Sequence, residues 1–342
     1  MTLVRERRHQ HPLRLSLPPP IPAPQLRHRI PSPSPSPSFC LDSLNIDSLS
    51  DLEKLAVLGH GTGGTVYKVR HRPSSSLYAL KVLHLGHDAL PIRQQAAREA
   101  EIFKRVDSQF LVRCHTVFDN ALVEADGIDD SLCFVMEYME AGSLHDVLRV
   151  RRRLPEKVIS GLARRVLEGL HYLHSMQIVH RDIKPSNLLI NGNGDVKIAD
   201  FGVSRVMAGG GSWEAWESCV GTCAYMSPER IDPEGWGGGD EFAGDVWALG
   251  VVVLECHVGH FPLVRAGQKP DWAALMCAIC FGEREVEVPE TASSEFRSFV
   301  RRCLEKDWRN RGTVEELLGH PFTNTCLSCD PIAGSMHAWV LN

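Results

Sequence analysis

His180-Arg181-Asp182-Ile183-Lys184-Pro185-Ser186-Asn187, followed after the apolar run Val196-Lys197-Ile198-Ala199 by Asp200-Phe201-Gly202, is the stretch on which the reading of this chain turns. An Asp, a Lys and an Asn share one short loop between two apolar runs, and a second Asp ends the next run. Phosphoryl transfer needs such a set. One group accepts a hydroxyl proton, a cation sits near the moving phosphate, and oxygen ligands hold Mg²⁺. A three-residue match of this kind would arise by chance; an eight-residue string with its second acidic loop at this distance does not.

Composition sets the frame around that stretch. The 342 residues can bury one large core, and 43% hydrophobic with 23% charged residues is ordinary for a soluble globular protein. No apolar run is long enough for a bilayer, so no membrane span is expected. A net charge of -5 argues against general nucleic-acid binding. The 11 Cys are odd in number and scattered, which fits a reducing compartment, cytoplasmic with the nucleus as a second site, rather than a secreted disulfide framework. Of the two CxxC pairs, Cys277/Cys280 lies in the apolar run Ala273 to Cys280 and reads as two buried core thiols; Cys326/Cys329 lies near the C-terminus.

Upstream of the organising stretch, residues 1–51 read as a disordered arm. Ten of the 21 Pro precede residue 41, and Pro31 to Ser38 is a Ser-Pro repeat that can build neither helix nor ladder. Its Ser-Pro sites at Ser32, Ser34 and Ser36 suit proline-directed kinases, or form a plain spacer. The arm carries Arg7-Arg8, a short spacer, then Leu13 and Leu15. Those residues suit an extended peptide whose basic end meets an acidic patch while its leucines enter apolar pockets. A solvated basic tail and an organelle transit peptide are the other readings.

The folded region is expected to begin near Leu52. Leu55 to Leu58 reads as a strand, Gly59-His60-Gly61-Thr62-Gly63-Gly64 as a turn and Thr65 to Val69 as the returning strand. The glycines let backbone N–H groups approach phosphate oxygens, and a strand rather than a helix follows them, which disfavours a dinucleotide fold. Tyr78 to Leu83 is a further strand, in which Lys81 needs a partner; Glu99 and Glu101 on a helix from Ile92 to Val106 are the candidates. Leu111 to Phe118 and Leu132 to Met136 read as strands, with an acidic surface loop from Asp119 to Asp130 between them. Leu144 to Leu173 reads as helix, with Leu162, Val166, Leu170 and Leu173 on one apolar stripe. His171 and His174 read as packing or surface residues. A Gly-rich segment after Gly202 leads to Tyr225-Met226-Ser227-Pro228-Glu229-Arg230, and Asp245 opens a strongly apolar helix.

These motifs, in this order from Leu52 to Phe322, resemble the protein-kinase superfamily. The resemblance implies an α+β bilobal fold, with a small β-rich lobe carrying one key helix and a larger helical lobe. It gives a kinase domain at 52–322, with 323–342 a short tail. ATP is then covered by Leu58, Gly59, His60, Gly61, Thr62, Gly63, Gly64 and Val66, with Ala79, Lys81, Met136 and backbone groups of Glu137 and Met139 completing its site. Glu99 is the implied partner of Lys81. Asp182 becomes the proton acceptor, Lys184 steadies the γ-phosphate, and Asn187 with Asp200 holds Mg²⁺. Glu229 is paired with Arg311, and Asp245 braces the catalytic loop.

Within that superfamily the chain looks like a plant mitogen-activated protein kinase kinase. Ser212 and Ser218 are separated by five residues, matching the group's phosphoacceptor spacing, and Val220 to Arg230 closely matches it too. The resemblance implies activation at Ser212 and Ser218 by an upstream kinase, transfer to Thr and Tyr of a downstream mitogen-activated protein kinase, and docking through Arg7, Arg8, Leu13 and Leu15. Arg181 is expected to lack a counter-charge until phosphate arrives. A kinase of another cascade level is disfavoured by the serine spacing. A non-catalytic scaffold is disfavoured because Lys81, Asp182 and Asp200 are all present. Trp308 and Gly312, where related kinases often have Pro, and a Gly-rich insertion from Asp232 to Phe242 depart from the pattern without touching the expected chemistry.

Overall fold

A five-stranded antiparallel sheet and a helical body are built from successive parts of the chain in the computed structural model, which describes residues 46–61, 64–84, 90–119, 122–124, 127–129, 131–207, 223–264, 272–281 and 286–324. The sheet begins with β1 (Leu52–Gly61), β2 (Gly64–His71) and β3 (Leu77–His84), where β-branched and aromatic residues favour extended backbone. Helix α1 (Leu90–Arg105) follows, then β4 (Cys114–Asp119), a small hairpin of β5 (Leu122–Glu124) and β6 (Gly127–Asp129), and β7 (Ser131–Glu137). Spatial order in the sheet is β1-β2-β3-β7-β4. The hairpin replaces the featureless loop expected between Asp119 and Asp130. Acidic content concealed two short runs with an apolar residue at the centre of each.

Ordered packing starts before Leu52. Ile46 is buried with Leu52, Val69, Tyr78, Leu80, Val82, Cys133 and Val135 on one side of the sheet, so the boundary expected at 51/52 falls inside this small core. The strand expected from Leu111 starts only at Cys114. Leu111 and Val112 instead join the short strand Val196–Ile198, Val112 donating its N–H to the Ile198 carbonyl at 2.9 Å.

The helical body opens with α2 (Leu144–Arg151) and α3 (Glu156–Ser175). The single helix expected from Leu144 to Leu173 is therefore broken. Arg152 turns to φ +62°, and Pro155, which cannot continue a helix, caps α3. The stripe Leu162, Val166, Leu170 and Leu173 is fully buried. Short strands β8 (Ile178–Val179), β9 (Leu188–Ile190), β10 (Val196–Ile198) and β11 (Arg205–Val206) pair as β8 with β11 and β9 with β10. Then come α4 (Pro228–Ile231), α5 (Glu241–Val258), α6 (Trp272–Met276) with a wide turn at Cys277–Phe281, α7 (Ser294–Cys303), α8 (Val314–Leu318) and α9 (Pro321–Asn324). The wide turn alters the helical spacing, so Cys280 is buried and Cys277 exposed; the expectation of two core thiols is corrected for Cys277. Cys326 and Cys329 lie outside the described residues.

One apolar cluster runs from Phe322 through α5 and α3 to Phe134 and the inner face of α1. Ile102 and Phe103 point into it. Near its far end, Arg311 is wholly buried with Glu229, two guanidinium nitrogens donating to the two carboxylate oxygens at 2.7 and 3.0 Å. The Asp232 to Phe242 insertion is not neutral to this pair, since a Cβ on Gly239 would meet Glu229 Cγ at 2.5 Å. Only glycine lets the insertion pass there.

Candidate active site

Two loops of the helical body come together with β3 and α1 of the sheet lobe, where Lys81 meets both Asp200 and Glu99. The loop from His180 to Asn187 is fixed from below by Asp245 near the start of α5, whose oxygens accept the N–H groups of His180 at 2.9 Å and Arg181 at 2.8 Å. His174 Nε2 lies 3.0 Å from the same carboxylate. Burial opposes the Asp245 charge, but these donors together hold its pKa below the ordinary carboxylate value. The loop is strained where it turns, with Arg181 at φ +70° and Asp200, on the neighbouring loop, at φ +67°. His174 is thus a brace of the catalytic loop rather than a mere packing residue. Its sequence signal was six residues' distance from His180, which periodicity does not read.

Asp182 is nearly buried. Its Oδ2 accepts from Asn187 Nδ2 at 2.9 Å and lies 2.8 Å from Lys184 Nζ. Its Oδ1 accepts no hydrogen bond from any described residue. Asn187 Nδ2 also donates to the Asp182 carbonyl at 2.9 Å, so the amide locks the loop and presents its oxygen elsewhere. Burial pushes the Asp182 pKa up, against Lys184, which favours the ionised form. A carboxylate with one tethered oxygen and one unclaimed oxygen is ready to accept a proton.

Across the cleft, Lys81 Nζ sits 2.6 Å from Glu99 Oε1 and 2.8 Å from Asp200 Oδ1. Glu101 is on the exposed side of α1 and pairs with Arg105 at 2.9 Å, so of the two candidates Glu99 is the one at Lys81. Burial works against the Lys81 charge, and the Asp200 and Glu99 carboxylates more than offset it, raising its pKa. Burial raises Glu99 in spite of Lys81, and Lys81 holds Asp200 below the usual range against the crowding of the surrounding protein. Phe201 fixes this arrangement, meeting Phe103 of α1 edge-on at 5.2 Å between centroids and His180 at 5.5 Å.

The expected nucleotide-binding residues divide into three groups. Gly59 has open space where a Cβ would stand, as close approach of a ligand requires. Gly64 is different. A Cβ there would lie 2.2 Å from the Val82 carbonyl, so this glycine serves the approach of β2 to β3, not that of a phosphate. Leu58 is half exposed at the end of β1, and His60 Nδ1 lies 3.2 Å from Thr65 Oγ1 across the hairpin next to Gly61. Val66 pairs with Lys81, and Ala79 with Met136, in the strand register. At the end of β7 the Glu137 N–H is donated to the Arg113 carbonyl, so its carbonyl is what this residue offers a base. The Glu137 carboxylate is gripped by Lys197 Nζ at 2.6 and 2.7 Å, a contact that alternation in β10 did not reveal. Met139 is buried just beyond. Thr62, Gly63, Ser212, Ser218, Arg7, Arg8, Leu13 and Leu15 lie outside the described residues.

Arg181 corrects one expectation. It has a counter-charge, because Glu241 Oε2 stands 3.5 Å from its Nε while Glu241 Oε1 accepts from Arg205 Nη1 at 3.2 Å. Glu241 belongs to the insertion and first turn of α5, which therefore does touch the site.

The donor set suits a hard divalent cation. Asp200 and Asn187 supply carboxylate and amide oxygens, and no group of three or more His, Cys, Asp or Glu side chains forms a closed metal cage among the described residues. Asp200 and Asn187 are the side chains that would hold such a cation, which would supply positive charge beside a nucleotide's phosphates.

Comparison with known proteins agrees with this geometry. The protein kinase domain family matches residues 52–323. Mitogen-activated protein kinase kinase 10 of Arabidopsis thaliana is 55% identical over 94% of this chain and 99% of its own length. Mitogen-activated protein kinase kinase 9 of the same plant is 51% identical over 80% of this chain and 85% of its own. Mitogen-activated protein kinase kinase 7 is 49% identical over 82% and 87%. With an α+β fold, a lysine–glutamate pair facing a braced aspartate, and relatives of this similarity over most of its length, the chain belongs to the protein kinases, phosphotransferases, within their plant mitogen-activated protein kinase kinase group.

Proposed function

We propose that this kinase phosphorylates Thr and Tyr in the activation loop of a downstream mitogen-activated protein kinase, using ATP with Mg²⁺ as the divalent ion. The observation that carries the chemistry is Asp182, with Oδ2 tied to Asn187 and Lys184, Oδ1 buried without a hydrogen bond from any described residue, and the charge of Asp200, itself paired with Lys81, acting on it. The substrate hydroxyl places its proton on Asp182 as its oxygen bonds to the γ-phosphorus, and the bond from that phosphorus to the β-bridging oxygen breaks, releasing ADP. Lys184 offsets charge on the transferring group, and Lys81 holds the α- and β-phosphates. Asn187 and Asp200 are the residues that would hold Mg²⁺, which when bound neutralises developing phosphate charge. The names of the Arabidopsis relatives support the cascade position.

Activation in this reading is phosphorylation of Ser212 and Ser218 by an upstream kinase. Each phosphate brings about -1.5 to -2 charge. Arg181 and Arg205, which already gather round Glu241, are the cations it would meet. The arm with Arg7, Arg8, Leu13 and Leu15 docks the downstream kinase, and the compartment is the cytoplasm, with the nucleus as a second site. The test offers chain carrying acidic replacements at Ser212 and Ser218 to a panel of kinase-dead mitogen-activated protein kinases, with an Arg7→Ala/Arg8→Ala form beside it. Dual Thr and Tyr phosphorylation of at least one member, weakened by loss of Arg7 and Arg8, is expected. Transfer to none overturns the cascade position, and full activation of a Ser212→Ala/Ser218→Ala chain by upstream kinases overturns the relay.

A further inference from the structure

The last turn of α2 and the turn that follows it concentrate positive charge in a way the catalytic cleft does not use. Arg149, Arg151, Arg152 and Arg153 occupy four of five successive positions, and the fifth, Val150, is 74% exposed, more than any other large apolar side chain among the described residues. Arg149, Arg152 and Arg153 are exposed as well, and Arg149 reaches Asp146 only at 3.9 Å. Like charges packed this closely repel one another, and Arg152 adds a backbone of positive φ, +62°, which a non-glycine side chain adopts at a cost. Strain and repulsion held together at one exposed place point to use.

The turn is rigid. Ser143 and Asp146 close a reciprocal cap at the start of α2, and Leu144, Val147 and Leu154 anchor its inner side in the core. The Leu154 N–H donates to the Cys256 carbonyl at 2.8 Å. Gly259, at φ +81°, ends α5 against the turn, where a Cβ would stand 2.7 Å from Arg153 Cγ and 2.9 Å from the Arg152 carbonyl. The same end of α5 presents Glu255, which accepts from Tyr225 Oη at 2.6 Å. Tyr225 stands three residues before Pro228, the first residue of α4. The basic turn and Tyr225 thus share one floor, the C-terminal end of α5.

We propose that Arg149, Arg152 and Arg153, grouped round Val150, form a docking surface for an acidic segment of the protein substrate that carries one apolar side chain. The arginines match carboxylates by two-pronged hydrogen bonding, and Val150 supplies the dry centre that a purely ionic contact lacks. Nucleic acid fits less well, because the turn has no aromatic ring for a base to stack on. The proposal rests on the chain being a protein kinase and not on which kinase it phosphorylates.

Two measurements on the full-length chain test it, with Arg149→Glu/Arg153→Glu and Val150→Ser as variants. The first is binding to an array of synthetic peptides that pair runs of Asp and Glu with a single Leu or Phe. The second is steady-state transfer to kinase-dead mitogen-activated protein kinases. The double charge reversal is expected to weaken peptide binding by about tenfold or more and to raise KM for the protein substrate by a similar factor. The gap should narrow as salt rises, with kcat and ATP affinity unchanged. Val150→Ser is expected to weaken binding by a few-fold at every salt concentration. Unchanged ATP affinity shows that the variants are folded. Equal binding by wild type and double variant, binding to no peptide, or retention only on RNA or anionic phospholipid vesicles would overturn the proposal. Failure of wild type to phosphorylate any kinase on the panel bears on the cascade position alone, because the peptide array still decides the surface.

Discussion

Asp182 shows what a single residue's surroundings decide. Its Oδ2 is held by Asn187 and Lys184 while Oδ1 is buried without a described partner. Replacing Asp182 by Asn removes the proton acceptor and keeps the shape, so kcat should fall by about 10²–10⁴ with ATP affinity retained, measured by single-turnover transfer and nucleotide titration. Burial raises the Asp182 pKa, so the proton is taken up at higher pH than by a free aspartate. The acid limb of kcat/KM should therefore lie above the ordinary Asp value, and activity should be lost as pH falls through it. The stability consequence has the opposite sense. A folded-state pKa above the unfolded one means that ionisation costs folded stability, and that stability is gained as pH falls through the raised pKa. Asp182→Asn should then not lower the thermal midpoint at neutral pH, which calorimetry checks. Residue types at this scale were legible in the string His180 to Asn187, because chemistry dictates them. Their strain was not. Arg181 and Asp200 adopt left-handed backbone that only the finished packing imposes, and Gly64 turned out to answer to the Val82 carbonyl rather than to a ligand.

At the scale of elements, α5 carries the site. Asp240 caps it, accepting from the Phe242 N–H at 2.9 Å. Glu241 meets Arg181 and Arg205 from its first turn, Asp245 braces the catalytic loop, and Glu255 holds Tyr225 near its end. Its middle is apolar on every side, as befits a helix surrounded by protein. A Cβ on Gly250 would lie 2.6 Å from Cys303 Cβ and 2.9 Å from Leu304, so Gly250→Val should destabilise by about 1–3 kcal/mol in urea unfolding through overpacking against α7. The Arg311–Glu229 pair gives a larger effect. Arg311→Ala would leave a buried carboxylate alone and should cost about 3–5 kcal/mol by the same measurement. The apolar run after Asp245 announced α5 in the sequence. The insertion before it concealed Glu241, since a Gly-rich stretch has no periodicity that says where its last acidic side chain will point. Where periodicity was read too simply, the turn at Arg152 and Pro155 and the wide turn at Cys277 broke the expected helices.

For the whole molecule, the main apolar cluster joins the helical body to α1, and Phe103, Phe134 and Phe201 form the contact. That continuity couples the position of Glu99 to the catalytic loop. Phe103→Ala should remove about 3–5 kcal/mol of stability. It should also lower kcat more than it raises KM for ATP, because the Lys81–Glu99 pair loses its support; denaturation and steady-state kinetics together check this. The two-lobed α+β plan was legible because each motif names its own element. The small core round Ile46 was not, because the Ser- and Pro-rich composition before it masks one apolar residue that the sheet recruits.

Catalysis here requires that nucleotide phosphate, a protein hydroxyl and the Asp182 carboxylate line up in one site. Transfer of labelled γ-phosphate to a kinase-dead mitogen-activated protein kinase, by wild-type and Asp182→Asn chain side by side, tests it most directly. Incorporation by the wild type on Thr and Tyr is expected, with a loss of about 10²–10⁴ in rate for the variant despite intact ATP binding. A wild-type chain that binds no ATP, or a variant that keeps the wild-type rate, would contradict it.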